Sequence, residues 1–155
     1  MGKILIIDDE PSIREVIREI LELEDYDVCE ASNGNEALEL AGNVPVSLAL
    51  LDVKMHGMDG FETLARLKKQ FNFPVIMVSA HATVEKVAEA MKMGAYDFIT
   101  KPIDMNRLLI STGHAMERQR LMEQIAALLL SIFKSKSLLY KTSKFSSDAK
   151  PVSFL

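Results

Sequence analysis

From residue 3 to about residue 130 the chain alternates between two hydrophobic periods, and this alternation restricts the fold more than any other feature. Short β-rich apolar runs occur at Lys3–Ile7, 27–31, 47–51, Val75–Ser79 and Asp97–Thr100. Segments of helical spacing lie between them, at Pro11–Leu23, 35–41, 61–71 and 84–93. A last helix is expected from Met105, with Asp104 as its N-cap. In Pro11–Leu23 the residues Ile13, Val16, Ile17, Ile20 and Leu21 share one face, and Arg and Glu occupy the other. Strands that alternate with helices predict an α/β fold, a parallel sheet covered on both faces. The unbroken runs Ile4-Leu5-Ile6-Ile7 and Leu48-Ala49-Leu50-Leu51 suit central strands buried on both sides. The expectation is a doubly wound five-stranded parallel sheet with five helices.

A chain of 155 residues suits one such domain with an appendage, large enough to fold without a disulfide or metal staple. Cys29 is the only cysteine, which rules out an internal disulfide, and its apolar neighbours make it a packing residue. Asp8, Asp9 and Glu10 cut short the apolar start, so no signal peptide is read. The apolar stretch 125–133 is far below the ~20 residues of a spanning helix. A soluble, cytoplasmic protein that does not engage a membrane is the expectation. The net charge of −4 is uneven: residues 131–155 carry +4, and residues 1–130, with 13 basic against 21 acidic side chains, carry −8. An acidic body argues against nucleic-acid binding by the folded domain.

Ligands of open parallel sheets bind beyond the carboxyl ends of the strands. Asp8 and Asp9 follow the first strand and Asp52 follows the third. Asp9 alone could serve as a cap for the helix at Pro11. A third acid leaving an otherwise apolar strand favours a different explanation, because crowded carboxylates repel and gain nothing structurally. A hard divalent cation resolves the repulsion: Mg²⁺ takes oxygen ligands, one or two carboxylates plus a phosphate oxygen. Whether the first and third strands are neighbours is not decided by these residues.

Five motifs occur in order: Ile6-Ile7-Asp8-Asp9-Glu10, Leu51-Asp52, Met58-Asp59-Gly60, Val78-Ser79-Ala80 and Lys101-Pro102. Together they make residues 1–120 resemble a bacterial two-component response-regulator receiver domain. The run from Gly94 to Ile99 and the long last helix are similar to receivers of nitrogen-regulation-type (NtrC-like) transcriptional activators. The resemblance implies a flavodoxin-like fold of strand order 2-1-3-4-5. It implies that Asp52 is the phosphoacceptor, charged by a sensor histidine kinase, a phosphotransfer protein or a small acyl phosphate. It implies Mg²⁺ held by Asp9, Asp52 and the backbone carbonyl of Lys54, with Asp8 acting mainly through metal-bound water. Lys101, placed by a cis bond to Pro102, is implied to pair with a phosphoryl oxygen. Ser79 and Phe98 are the implied switch residues: Ser79 moves to the phosphoryl group and Phe98 turns inward. The family's role is that of a switch, catalysing only its own phosphorylation and dephosphorylation. A haloacid-dehalogenase-type enzyme, the alternative with a strand-end Asp and Mg²⁺, would need a second Asp where Lys54 stands.

The sequence departs from the family pattern at His56, where many receivers have proline. Lys54 and His81 occupy positions that influence attack of water on the phosphoryl group. His114 reads as a surface residue of the last helix. Leu121, Ile125, Leu128 and Ile132 are spaced 4, 3 and 4, a short heptad seam over a helical extension at 121–133 that offers a homodimer contact. Residues 134–155, Ser/Lys-rich and without period, are expected to be a disordered tail.

Overall fold

The computed structural model describes residues 2–147. Five strands and five helices alternate: β1 (Lys3–Ile7), α1 (Pro11–Leu23), β2 (Val28–Ala31), α2 (Gly34–Asn43), β3 (Val46–Asp52), α3 (Gly60–Gln70), β4 (Val75–Ser79), α4 (Val84–Lys92), β5 (Asp97–Thr100) and α5 (Met105–Ser147). All strand pairs are parallel and the sheet order is 2-1-3-4-5.

The sheet separates two apolar layers. On one face Leu5, Ile7, Ala49, Leu51, Val75 and Met77 pack with Ala37 and Ala41 of α2, Leu64 and Leu67 of α3 and Ala90 of α4. On the other, Ile4, Ile6, Leu48, Leu50 and Ile76 pack with Ile17 and Leu21 of α1 and Leu108, Ala115 and Met116 of α5. Odd and even residues of one strand thus serve opposite layers, which is why the central strands read as continuous apolar runs rather than alternating ones.

Caps fix where the helices begin. The side chains of Asn33, Asp59 and Thr83 accept from the backbone N–H groups of Glu36, Glu62 and Lys86. Asp104 accepts from the N–H of Arg107 at 3.1 Å, as its place before Met105 predicts. The start of α5 is tied to β5 by Arg107, whose two guanidinium nitrogens donate to the Asp97 carboxylate at 2.7 and 2.8 Å. The Ser111 hydroxyl donates to the same carboxylate at 2.6 Å.

The chain divides into two units, residues 1–119 and 120–155. The disordered tail expected from residue 134 is corrected over 134–147, which continue α5 as helix. Low apolar periodicity does not break a helix. Lys, Leu and Ser are tolerated in one, and neither Gly nor Pro occurs between Gly113 and Pro151. The part of the tail expectation that concerns residues 148–155 lies outside the described residues. No helix among the described residues is long and apolar enough to cross a membrane.

Candidate functional site at the carboxyl edge of the sheet

Strand register brings the acids together. Ile7 of β1 pairs with Leu51 of β3, so Asp8 and Asp52 are the next residues along two neighbouring parallel strands. The adjacency left open by the apolar runs is therefore present. Asp52 pairs in turn with Val78 of β4, and Ser79 pairs with Thr100 of β5, the residue before Lys101. Asp8, Asp52 and Ser79 are only 2, 5 and 3 % exposed. Ligand oxygens of Asp8, Asp9 and Asp52 all lie within 4.8 Å of one another.

Lys101 is the cation that reaches this cluster. Its Nζ donates to Asp8 Oδ2 at 3.0 Å and lies 3.3 Å from Asp52 Oδ1. The Lys101–Pro102 peptide bond is cis. Backbone amides share the load: the Glu10 N–H donates to Asp8 Oδ1 at 2.9 Å and the His56 N–H to Asp9 Oδ2 at 3.3 Å. The Lys54 N–H is hydrogen-bonded to the Asp52 carboxylate. Burial, and then the neighbouring charge of Asp8, push the Asp52 carboxyl up to about 6. Lys101 and the Lys54 amide pull against that rise without cancelling it. Burial pulls the Lys101 ammonium down, yet its bond to Asp8 and the charges of Asp52 and Asp8 outweigh this and hold it above the ordinary lysine value.

One ammonium against three carboxylates leaves the pocket with an excess of negative charge. The donor set is all oxygen, and its two most buried members belong to rigid strand ends. That chemistry fits a hard divalent cation. Substituting Lys101→Met should raise the Asp52 pKa further above about 6, because it removes the strongest opposing charge. Carboxyl ¹³C chemical shifts followed through a pH titration of metal-free protein would measure it, and an unchanged midpoint would contradict the assignment.

The remaining predicted residues are distributed as follows. Ser79 Oγ accepts from the backbone N–H of His81 at 3.0 Å. Phe98 is half-buried and packs against the layer containing Met77 and Ala95. Asp9 does not cap α1: the N-cap is Glu10, without a side-chain bond. His114 is exposed, as expected. Sequence reasoning missed Arg14, whose guanidinium donates to the Asp8 carbonyl at 2.6 Å while pairing with Glu30 of β2 at 3.2 Å. The arginine-bearing polar face of α1 was visible, but nothing in it named the acceptor. It also missed the approach of the His56 imidazole, whose Nε2 is 3.8 Å from Asp9 Oδ2.

A profile described as "Response regulator receiver domain" matches residues 4–112. The chain belongs to the response regulator receiver family. The receiver is 40 % identical over 129 residues to the nitrogen assimilation regulatory protein NtrX of Azorhizobium caulinodans, covering 81 % of this chain and 28 % of that protein. It is 32 % identical over 126 residues to the regulatory protein AtoC of Escherichia coli, covering 81 % and 27 %. The chain thus spans about a quarter of the length of these curated relatives. Among solved structures, the receiver domain of NtrX from Brucella abortus superimposes with a TM-score of 0.71 at 36 % identity. That match covers 74 % of this chain and 98 % of the other. The NtrC-like resemblance seen in the motifs is therefore present across the receiver as a whole.

Proposed function

We propose that this receiver is a phosphoacceptor switch in which Asp52 is the phosphorylated residue. The observation that carries the proposal is the convergence of Asp8, Asp9 and Asp52 within 4.8 Å beside Lys101. An Asp52 carboxylate oxygen attacks the phosphorus of a phosphohistidine on a sensor histidine kinase or phosphotransfer protein. The P–N bond breaks, its electron pair returns to the imidazole, and Asp52 becomes an aspartyl phosphate. Mg²⁺ would be held by Asp9, Asp52 and the Lys54 carbonyl, with Asp8 behind a bound water. When bound it would offset the repulsion between anionic donor and anionic acceptor. Lys101 exchanges its Asp52 contact for a phosphoryl oxygen. Ser79, which accepts from His81, keeps its own hydroxyl proton to donate to another phosphoryl oxygen.

The switch needs several contributors. Shifting a two-state equilibrium from 1:99 to 99:1 requires about 5.5 kcal/mol of differential stabilisation. A charge-assisted hydrogen bond from Ser79 supplies roughly 1.5–3 kcal/mol, so Lys101, the metal and inward rotation of Phe98 must share the remainder. Incubation with Mg²⁺ and acetyl phosphate should raise the intact mass by one phosphoryl group in the wild type and not in Asp52→Asn. Equal labelling of both proteins would refute the assignment.

The output we propose is a contact with a second copy through α5. Ile125, Ile132 and Leu139 take a positions of a heptad and Leu121 and Leu128 take d positions, and all five are exposed. Ile at a with Leu at d favours a parallel two-stranded coiled coil. Sedimentation equilibrium should show a wild-type dimer and a monomer for Ile125→Asp combined with Ile132→Asp. A monomeric wild type would rule this contact out.

A further inference from the structure

One cation that touches the acidic pocket has no part in the phosphoacceptor chemistry. Arg14 of α1 donates from Nη1 to the backbone carbonyl of Asp8 at 2.6 Å and from Nε to the Glu30 carboxylate of β2 at 3.2 Å. Ladder pairing of β1 ends at Ile7 on both sides, opposite Ala31 and Leu51. The Asp8 carbonyl therefore lies just past the strand partners that satisfy its predecessors. Asp8 is only 2 % exposed, and a buried carbonyl without a partner is costly. Arg14 supplies that partner.

We propose that Arg14 is a positioning residue for the cation site. By holding the Asp8 carbonyl it fixes the peptide that joins Asp8 to Asp9, and with it the directions in which both carboxylates leave the backbone. The proposal rests on the acidic pocket being a Mg²⁺ site and deepens that reading by naming what sets two of its acids relative to each other.

The atoms of a peptide unit move as one plane. Pinning the carbonyl on one edge limits rotation at Asp8 on one side and at Asp9 on the other. The two side chains have braces of their own, the Glu10 N–H to Asp8 Oδ1 at 2.9 Å and the His56 N–H to Asp9 Oδ2 at 3.3 Å. Neither of these fixes the plane between them. Mg²⁺ demands nearly ideal octahedral geometry, so a small rotation of its ligands counts. Arginine suits the task because its rigid fork holds two acceptors at once, and the Glu30 branch anchors it to β2.

Arg18 supplies the contrast. It shares Glu30, donating from Nε and Nη2 at 2.9 and 2.6 Å, and adds Glu22 at 3.0 Å. Its bonds end on those two carboxylates. Losing Arg18 loosens the same network without releasing the Asp8 carbonyl.

The test uses the whole chain as wild type, Arg14→Met, Arg14→Lys and Arg18→Met. Mg²⁺ affinity is measured by calorimetry, and the Asp9 amide ¹H–¹⁵N resonance is recorded in EDTA. Arg14→Met should lose at least about tenfold in Mg²⁺ affinity. Its Asp9 resonance should move even in metal-free protein, because the preceding carbonyl has lost a charged donor. Arg14→Lys keeps the charge, but one ammonium cannot span Asp8 and Glu30, so its affinity should fall in the same direction by less. That variant carries the test if Arg14→Met does not fold. Arg18→Met should keep the wild-type affinity and Asp9 resonance whatever its urea midpoint, which separates positioning from a general loss of stability. Wild-type affinity in the Arg14 variants, or equal losses in Arg14→Met and Arg18→Met, would overturn the role of Arg14 while leaving Mg²⁺-dependent labelling of Asp52 intact. A wild type that neither binds Mg²⁺ nor is labelled by acetyl phosphate would instead remove the phosphoacceptor reading, and this inference with it.

Discussion

In EDTA at neutral pH, Asp52→Asn should be more stable to urea than the wild type by about 2–3 kcal/mol. The carboxyl of Asp52 is pushed from 3.8 to about 6 by burial and by Asp8, so keeping it ionised disfavours the folded state. The sign follows from where the proton binds. Above about 6 the folded protein carries the full penalty of an ionised Asp52 that the unfolded chain does not feel. As pH falls from about 6 toward 3.8 the folded protein takes up its proton first, and the penalty disappears. The advantage of Asn, which cannot ionise, should therefore be largest above that window and should fade across it. Other carboxylates titrate in both proteins, so the difference between the two urea curves isolates Asp52. Saturating Mg²⁺ should shrink the gap from the wild-type side, since the native state of the wild type has more to gain from the ion. A variant no more stable than the wild type at neutral pH in EDTA would mean that Asp52 is not electrostatically strained.

How much of this site was legible in the sequence depended on what kind of interaction made each part. Strand ends were visible because β1 and β3 are apolar up to Ile7 and Leu51, and charge then begins abruptly at Asp8 and Asp52. The N-caps were visible wherever a short polar side chain precedes a helix, as at Asp104. Element ends moved by a residue or two where hydrogen bonding decides them. β2 begins at Val28 rather than Asp27, and Asn33 starts α2 one residue early by capping through Glu36. The order of the strands came from the family resemblance, since no local period records which strand lies beside which. Contacts from a helix or loop to the strand-end acids were the least legible. Arg14 to the Asp8 carbonyl and His56 to Asp9 join positions 6 and 47 residues apart in sequence, and a charged residue on a solvated face has many equivalent partners on paper. The continuation of α5 through 134–147 was missed for the opposite reason. Absence of apolar period was read as absence of structure, although a helix needs only residues that do not break it.

Gly60→Ala should destabilise the receiver by about 3 kcal/mol and weaken cation binding in the same variant. Gly60 opens α3 just beyond the loop that follows Asp52, and its N–H donates to the Val53 carbonyl at 2.9 Å. A Cβ there would run into the backbone carbonyl oxygen of Asp52. It would also stand 2.6 Å from Val53 Cα and 2.9 Å from the Val53 oxygen. All of these are main-chain atoms at the end of a central strand, so no flexible side chain can yield and the helix or the strand end must move. Either movement shifts Asp52 and the Lys54 amide that braces its carboxylate, which couples the loss of stability to the loss of the cation. Helix propensity alone predicts the reverse sign, because alanine is favoured over glycine in a helix by up to about 1 kcal/mol. Gly113→Ala supplies the contrast within one molecule. Gly113 lies inside α5, and a methyl group added to it would meet nothing within 4 Å, so that substitution should stabilise by a fraction of the same amount. Opposite signs at the two glycines, read from urea midpoints, would establish that close approach of α3 to the acceptor strand is what requires glycine at 60. A Gly60→Ala protein as stable as the wild type, with unchanged Mg²⁺ affinity, would show that the junction beneath Asp52 is slack and that the acceptor is positioned by something else.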